Sequence, residues 1–485
     1  MTLFDDISDH LSQIVLYTCI LAGVYGVWYA FSHFGLVGGV AVSLIPAILC
    51  VLYVTLKDPA MAMMLLFIVN YFIMGIGRYL QDKPIGVLLD GMIAFCVLML
   101  LLQAMYRNVD WRRAATGLTL AATIWLVYAL LQLVNPESVS TSGWFSGVRS
   151  ISFYFFAIVI LAQIILTEYK YLRYILYIWS VLTLLAVIKS LIQKYVGFDA
   201  TETYWLYVLG GSSTHIIHSG IRYFSFFSDA ANFGANMGLS MVVLSISALY
   251  FENKWLKTYL FFVAAAAFYG LLISGTRSAI AVPFIGYTVF IIMSKNLKII
   301  LVGAILLVGA FSILNFTQIG QSNALVRRAR STFDTNDPSF VVRLENQAKL
   351  RVLMADKPFG AGVGHGGGKA KVFAPNSPIS QIPTDSWFVM IWVEMGIVGL
   401  LLHVSILCYI LLYGCWLVMF KLKNKQLRGL IAALIAGIAG VIVNSYANEI
   451  FGQIPIGAIM YFSMSFIFLS PRFDREITER ERQIV

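Results

Sequence analysis

The residues best suited to chemistry are arginines and carboxylates standing where apolar runs begin or end. Arg222 lies in HSGIRYFSFFSDAANFGAN, Arg277 in the turn ISGTRSAIAVP, and Arg343 and Arg351 in VVRLENQAKLRVLMADKPFG. A guanidinium stays charged, and its planar fork bonds two phosphate oxygens at once. Charge at membrane depth is costly, so such a residue faces a cavity or a partner, or snorkels to the headgroups. Asp385 opens the run DSWFVMIWVEMGIVGL. It can accept a proton from a hydroxyl, and it can equally cap the helix that follows. Glu394, inside that run, needs a partner or water. Asp229, in FSDAAN, reads as a helix cap.

The glycine run GAGVGHGGG holds His365, which could approach a phosphate or a hydroxyl but reads more simply as a solvated loop histidine. His215 and His218 read the same way, with no cysteine or carboxylate spaced to complete a zinc site. Gly362-x-Gly364-x-x-Gly367 matches the dinucleotide fingerprint literally. It follows no strand and opens no clear helix, so it is a decoy. Gly362 and Gly364 are expected instead to let the backbone turn tightly and approach a substrate.

These residues need elements to hold them, and composition says which. The chain has 485 residues, 59% hydrophobic and 12% charged. Soluble proteins carry about 25% charged residues, so lipid must cover most of this surface. About fourteen apolar runs reach the length that crosses a bilayer. The fold class is therefore all-α: a polytopic membrane helix bundle of about 12–14 spans, read as one domain over 1–485. The run over 386–420 is too long for one simple crossing and is expected to break near Gly396 or Gly399. Asp90 and Lys189 are conspicuous charges inside spans, each expected to pair with another helix or edge a cavity. The five cysteines all fall in apolar runs and read as buried small hydrophobes.

Loop charge sets the orientation. Placing both termini in the cytoplasm puts YRNVDWRR, TEYKYLRY, KLKNKQLR and the PRFDREITERER tail inside, as the positive-inside rule requires. The net charge of +10 reflects that bias rather than nucleic-acid binding. The acidic start MTLFDDISDH does not read as a cleaved leader. The long loop 317–385 then lies outside (periplasmic), as do the three arginine-bearing segments.

Taken in order, these segments resemble the O-antigen ligase and polymerase superfamily of bacterial envelope glycosyltransferases. RYFSFFSDAANFGA looks like its arginine-plus-aromatic segment, and GTRSA like its Ser-Arg turn. VVRLENQAKLRVLMADKPFGAGVG looks like its Arg, spacer, Pro, Gly-x-Gly segment, and DSWFVMIWVEMGIVG like its final signature. The motifs cover roughly 222–400. One departure matters. Family ligases carry a histidine eleven residues before the first glycine of that signature. Here the position is Asp385, with Ser386 where asparagine is usual. A carboxylate can still take a proton, but not by a histidine-dependent route, which favours repeat-unit polymerase over ligase.

The resemblance implies glycan transfer from an undecaprenyl-pyrophosphate carrier to a hydroxyl of another glycan, at the outer face of the bacterial inner membrane. It implies no cofactor and no metal. Arg222, Arg277 and Arg343 would hold the pyrophosphate, with Arg351 a weaker candidate. Asp385 would be the base, with Glu394 positioning it or an arginine, or serving as a structural partner. Expected partners are the lipid-linked glycan, membrane lipid and a chain-length regulator protein. A ligase acting on a lipid or protein acceptor is the alternative. A lipid-linked glycan transporter is a further one, although no paired hydropathy repeat is visible.

Overall fold

The computed structural model describes residues 2–80, 85–217, 220–318, 321–322, 326–327, 330 and 338–484. Among them helices dominate, because only intrahelical bonding satisfies a backbone surrounded by lipid. In chain order they are α1 (Thr2–Lys57), α2 (Ala60–Tyr79), α3 (Gly86–Tyr106), α4 (Gly117–Leu131), α5 (Thr141–Val148), α6 (Tyr154–Ile165) and α7 (Tyr169–Tyr195). Then come α8 (Ala200–Tyr207), α9 (Ser212–His215), α10 (Ala230–Tyr250), α11 (Lys254–Ile273), α12 (Ala281–Met293) and α13 (Leu297–Phe316). The chain ends with α14 (Pro338–Leu353), α15 (Gly367–Phe373), α16 (Trp387–Trp416), α17 (Lys425–Asn444) and α18 (Ile456–Ile484). One two-residue antiparallel pair, β1 (Ile216–Ile217) with β2 (Gly220–Ile221), precedes the Arg222 segment.

Eleven spans among the described residues are long and apolar enough to cross a membrane, beside the shorter Ser278–Met293 and Leu297–Ile313. α1 is one helix broken at Gly35, with φ 65°. The last helix continues through Pro471 into the charged PRFDREITERER segment, to Ile484. Its Asp474 is buried there and accepts bonds from the backbone N–H groups of Lys423 and Asn424, at the start of α17. The PRFDREITERER tail is thus tied to the bundle. α10, α17 and α18 form the enclosed centre, with Phe233, Leu430 and Phe462 fully buried. Apolar side chains of α13 such as Ile305 and Leu306 face outward, towards lipid. Cys50 and Cys408 also face outward, Cys415 is half-buried and Cys96 is buried, against the expectation that all are buried; the side chain of Cys19 lies outside the described residues.

Charges inside the spans are paired. Arg149 meets Asp90 at 2.6 Å, and Lys189 meets Asp199 at 3.2 Å and Glu202 at 3.0 Å. Arg78, at the end of α2, is buried between the rings of Trp205 and Phe224, with centroids 4.6 and 4.3 Å away. Its fork donates to the carbonyls of Ser225 (3.2 Å) and Phe227. Ser225 has φ 53°, and Gln193 bonds both its N–H and its C=O. Arg78 and Gln193 therefore clamp the segment carrying Arg222 and Asp229.

The expected break in the long helix falls at Gly396, with φ 70° and ψ −176°. A break frees carbonyls at membrane depth, and these must find donors. Three are supplied from elsewhere. Ala361 N–H bonds the Val393 carbonyl at 2.8 Å, Gly362 N–H bonds that of Glu394 at 3.0 Å, and Tyr128 hydroxyl bonds that of Met395 at 2.8 Å. Gln132 and Asn135 hold the other side of the same loop through the Phe359 carbonyl, at 3.1 and 3.2 Å. A Cβ on Gly396 would meet the Pro358 carbonyl oxygen at 2.0 Å.

Two outcomes follow from this architecture. Gly396→Ala combines a disfavoured φ with a clash, and should destabilise the protein by about 2–4 kcal/mol, read as a lower unfolding midpoint in detergent. Arg78→Lys keeps the charge but loses the fork and the stacking. It should give a smaller loss of thermal stability than Arg78→Ala, which removes the guanidinium donor to the Phe227 carbonyl and leaves the Ser225 carbonyl with Gln193 alone.

Candidate active site

α14 turns one face inward. Leu350 and Met354 pack with Ala361, Ile379, Val389 and Val393 in a small separate core. Asn346 and Arg343 lie one and two turns before Leu350 on that face, as the 3.6-residue period requires. Arg343 therefore lines a cavity of about 350 Å³, and Asn346 Nδ2 donates to Asp385 Oδ2 at 3.3 Å. Arg351 falls on the exposed face and is not brought to the cavity.

The cavity is lined by Asp229, Arg343, Lys371, Asp385, Asn448 and Glu449, among others. Asp385 is half-buried with φ 52°, a left-handed backbone that costs roughly 1–2 kcal/mol outside glycine. Strain of this kind persists only where its surroundings hold it. Asp385 does not cap the following helix. Ser386 occupies the cap position without a side-chain bond, and Trp387 N–H is taken by the Ser445 carbonyl at 3.0 Å. The carboxylate is thus spent on Asn346 and the cavity, not on the helix end.

Glu449 was not legible as a site residue. It lies in the connection between α17 and α18, accepts a hydrogen bond from Thr384, and borders the same cavity as Asp385. Burial pushes its carboxyl above the usual range, and the nearby Asp385 adds to this. Thr384 and Lys369 pull the other way. Lys369 donates to the Ser146 carbonyl at 3.2 Å and to Ser150 Oγ at 3.1 Å. Burial lowers its pKa, while Glu394 and Glu449 hold the charge in place. The signal available for Glu449 was a single carboxylate, in SYANEIFG, confined to a short connection between two apolar runs.

Arg222 and Arg277 sit beside this cavity rather than in its lining. Arg222 donates to Thr276 Oγ1 at 2.7 Å and to the Thr214 carbonyl at 3.1 Å. Thr276 hydroxyl in turn bonds the Ala230 carbonyl at 2.8 Å. Asp229 caps α10, as expected, accepting from Ala231 and Asn232 N–H at 2.7 and 2.8 Å. Asn448 donates to Ser278 Oγ, tying the Arg277 turn to the Glu449 connection. Of the three arginines expected to hold the pyrophosphate and the expected base, Arg343 and Asp385 share one cavity, while Arg277 stands in the adjoining turn and Arg222 donates to it. Below that turn an almost wholly apolar cleft of about 990 Å³ runs between α10, α11, α12 and α13, from Ile280 to Lys298.

Three expectations need correction. His365 is not solvated: it is 3% exposed. Its Nε2 accepts from Val139 N–H at 3.3 Å, so Nδ1 carries the proton and donates to the Gly362 and Val363 carbonyls. It borders a different cavity from Asp385. His215 is buried likewise, accepting from Ala230 N–H at 3.1 Å and donating from Nδ1 to the Gly211 carbonyl. Burial lowers the pKa of both rings, in keeping with the neutral form. His218 lies outside the described residues. Gly362 and Gly364 approach protein, not substrate space: a Cβ would meet Ser138 Cβ at 2.7 Å and the Gly143 carbonyl oxygen at 2.2 Å. Glu394 positions neither Asp385 nor an arginine directly. It is buried and accepts from Gly366 N–H at 3.1 Å, fastening the glycine run to α16.

Comparison with known proteins bears on this arrangement. The profile of a family described as O-Antigen ligase matches residues 261–404, which hold Arg277, Arg343, Asp385 and the broken helix. A Salmonella muenchen protein described as an O-antigen polymerase is 24% identical over 307 residues, covering 59% of this chain and 70% of that protein. The profile match over 261–404, the curated relative and the helical fold with many candidate spans all support a likeness to O-antigen ligases and polymerases.

Proposed function

We propose that the protein polymerises undecaprenyl-pyrophosphate-linked oligosaccharide repeat units into a surface polysaccharide. It does so at the outer face of the bacterial inner membrane, with both termini in the cytoplasm. The observation that carries this reading is the pairing of a strained carboxylate, Asp385, with Arg343 in one cavity, beside the Arg222 and Arg277 turns. The acceptor sugar lies in that cavity. Its hydroxyl oxygen attacks the anomeric carbon of the donor and gives its proton to Asp385. The bond from that carbon to the pyrophosphate oxygen breaks, and undecaprenyl pyrophosphate leaves with the electron pair. Arg277 and Arg222 stabilise the charge that grows on the leaving group, the usual largest contribution in such sites. The reaction needs no metal in this scheme, since guanidinium groups supply the positive charge. The apolar cleft under the Arg277 turn gives the polyprenyl chain a route in from the bilayer. A chain-length regulator protein is the further partner we expect.

A ligase is the second reading, favoured by the description of the family matching 261–404. Asp385 in place of the ligase histidine, together with the polymerase relative, favours polymerisation.

Cells lacking the protein should accumulate single repeat units and no long polymer. Long polymer left on the lipid carrier would instead identify a ligase, and an unchanged ladder would refute both readings. Arg277→Ala and Asp385→Ala should each lower transfer by about 100-fold or more, at normal protein levels in the membrane. Full activity in either variant removes that residue from the scheme. Because its pKa is raised, Glu449 should keep its proton above the ordinary carboxylate range. The sign follows: its contribution to stability is complete at low pH and is lost as pH rises through the raised value. A wild-type minus Glu449→Gln infrared difference spectrum should show a protonated-carboxyl band that outlasts the usual titration.

A further inference from the structure

The stretch from α14 to the start of α16 separates two cavities. One holds Asp385, Arg343 and Lys371. The other, about 530 Å³, is lined by Glu137, Val139, Lys357, His365, Phe373 and Asn376, among others. The same elements wall both. α14 turns Arg343 to the first and Leu353 to the second, ten residues on and so about 15 Å away along the helix. α15 gives Lys371 to one and Phe373 to the other, and the strip after it gives Ser380 to one and Ser377 to the other.

Resting on the transferase reading above, the geometry points to a second glycan-binding cavity, which holds the acceptor's sugars beyond the one that reacts at Asp385. The lining suits a polyhydroxylated chain. Phe373, Pro375, Pro378 and Val139 offer apolar surface to sugar C–H faces, while Asn376, Ser377 and the Lys357–Glu137 ion pair offer donors and acceptors to hydroxyls. The rim is open: Val139 is 73% exposed, and Pro375, Asn376 and Pro378 are exposed. It is also fixed in place. His365 Nε2 holds the Val139 N–H, and the Lys357–Glu137 pair ties the end of α14 to the connection between α4 and α5. His365 is on this account a positioning residue for the second cavity, which explains its burial on the side away from Asp385. The apolar cleft under Arg277 has the opposite character and lies among the membrane helices, so the two serve different parts of the substrates.

The test uses the full-length protein in nanodiscs, a lipid-linked donor, and soluble acceptors of one sugar, one repeat unit and two repeat units. Wild-type KM should fall at least five-fold from the shortest acceptor to the longest. Val139→Asp and Asn376→Ala should flatten that fall, with thermal unfolding in detergent unchanged. A wild-type KM independent of acceptor length, or variants that retain the wild-type dependence, would overturn the proposal. A protein that transfers to none of the acceptors refutes the transferase reading instead. Saturation-transfer NMR with the free two-repeat oligosaccharide then judges the cavity alone. Signals on sugars remote from the reacting end that vanish in Val139→Asp support it; no such signals from wild type overturn it.

Discussion

The site depends on one constraint: a helix broken inside a membrane must have its freed carbonyls satisfied. α16 breaks at Gly396, and the loop at 358–362 answers with two backbone N–H groups, while Tyr128 supplies a third donor. That seating fixes the glycine run, and Glu394 fastens the run again through Gly366. From there α15 and the 377–385 strip are led to the mouth of α16, where Asp385 stands. The catalytic geometry proposed here is a by-product of backbone accounting at the break.

The charges divide the work between two neighbouring places. Arg343 and Lys371 share a cavity with three carboxylates, a mixed environment suited to hydroxyl groups. Arg222 and Arg277 stand at a turn above an apolar cleft, where a phosphate and its lipid can be met together. The Arg78 and Gln193 clamp underlies the second place, and the Asn448–Ser278 bond joins the two. A shift of either turn would be felt in both.

Much of this was legible in the sequence, and what was missed has physical reasons. The spans, the break at Gly396, the Asp229 cap and the pairing of Asp90 and Lys189 all follow from hydropathy, glycine and the cost of buried charge. Arg351 and Arg343 look alike in sequence; only the packing of Leu350 and Met354 decides which of them turns inward. His365 looked like a solvated loop residue because nothing local says that the 137–147 segment lies against it. Glu449 was missed for the same reason, since its partner Thr384 is distant in the chain. Local pattern thus reports what each residue needs, and long-range contact decides what meets that need.

The break in α16 also bears on how the chain assembles. The segment at 358–362 precedes α16, so the donors are synthesised before the carbonyls of Val393 and Glu394 that they meet. No later part of the chain is needed to close these two bonds. A circular permutation that placed this loop after α16 would reverse that order while keeping every native contact available.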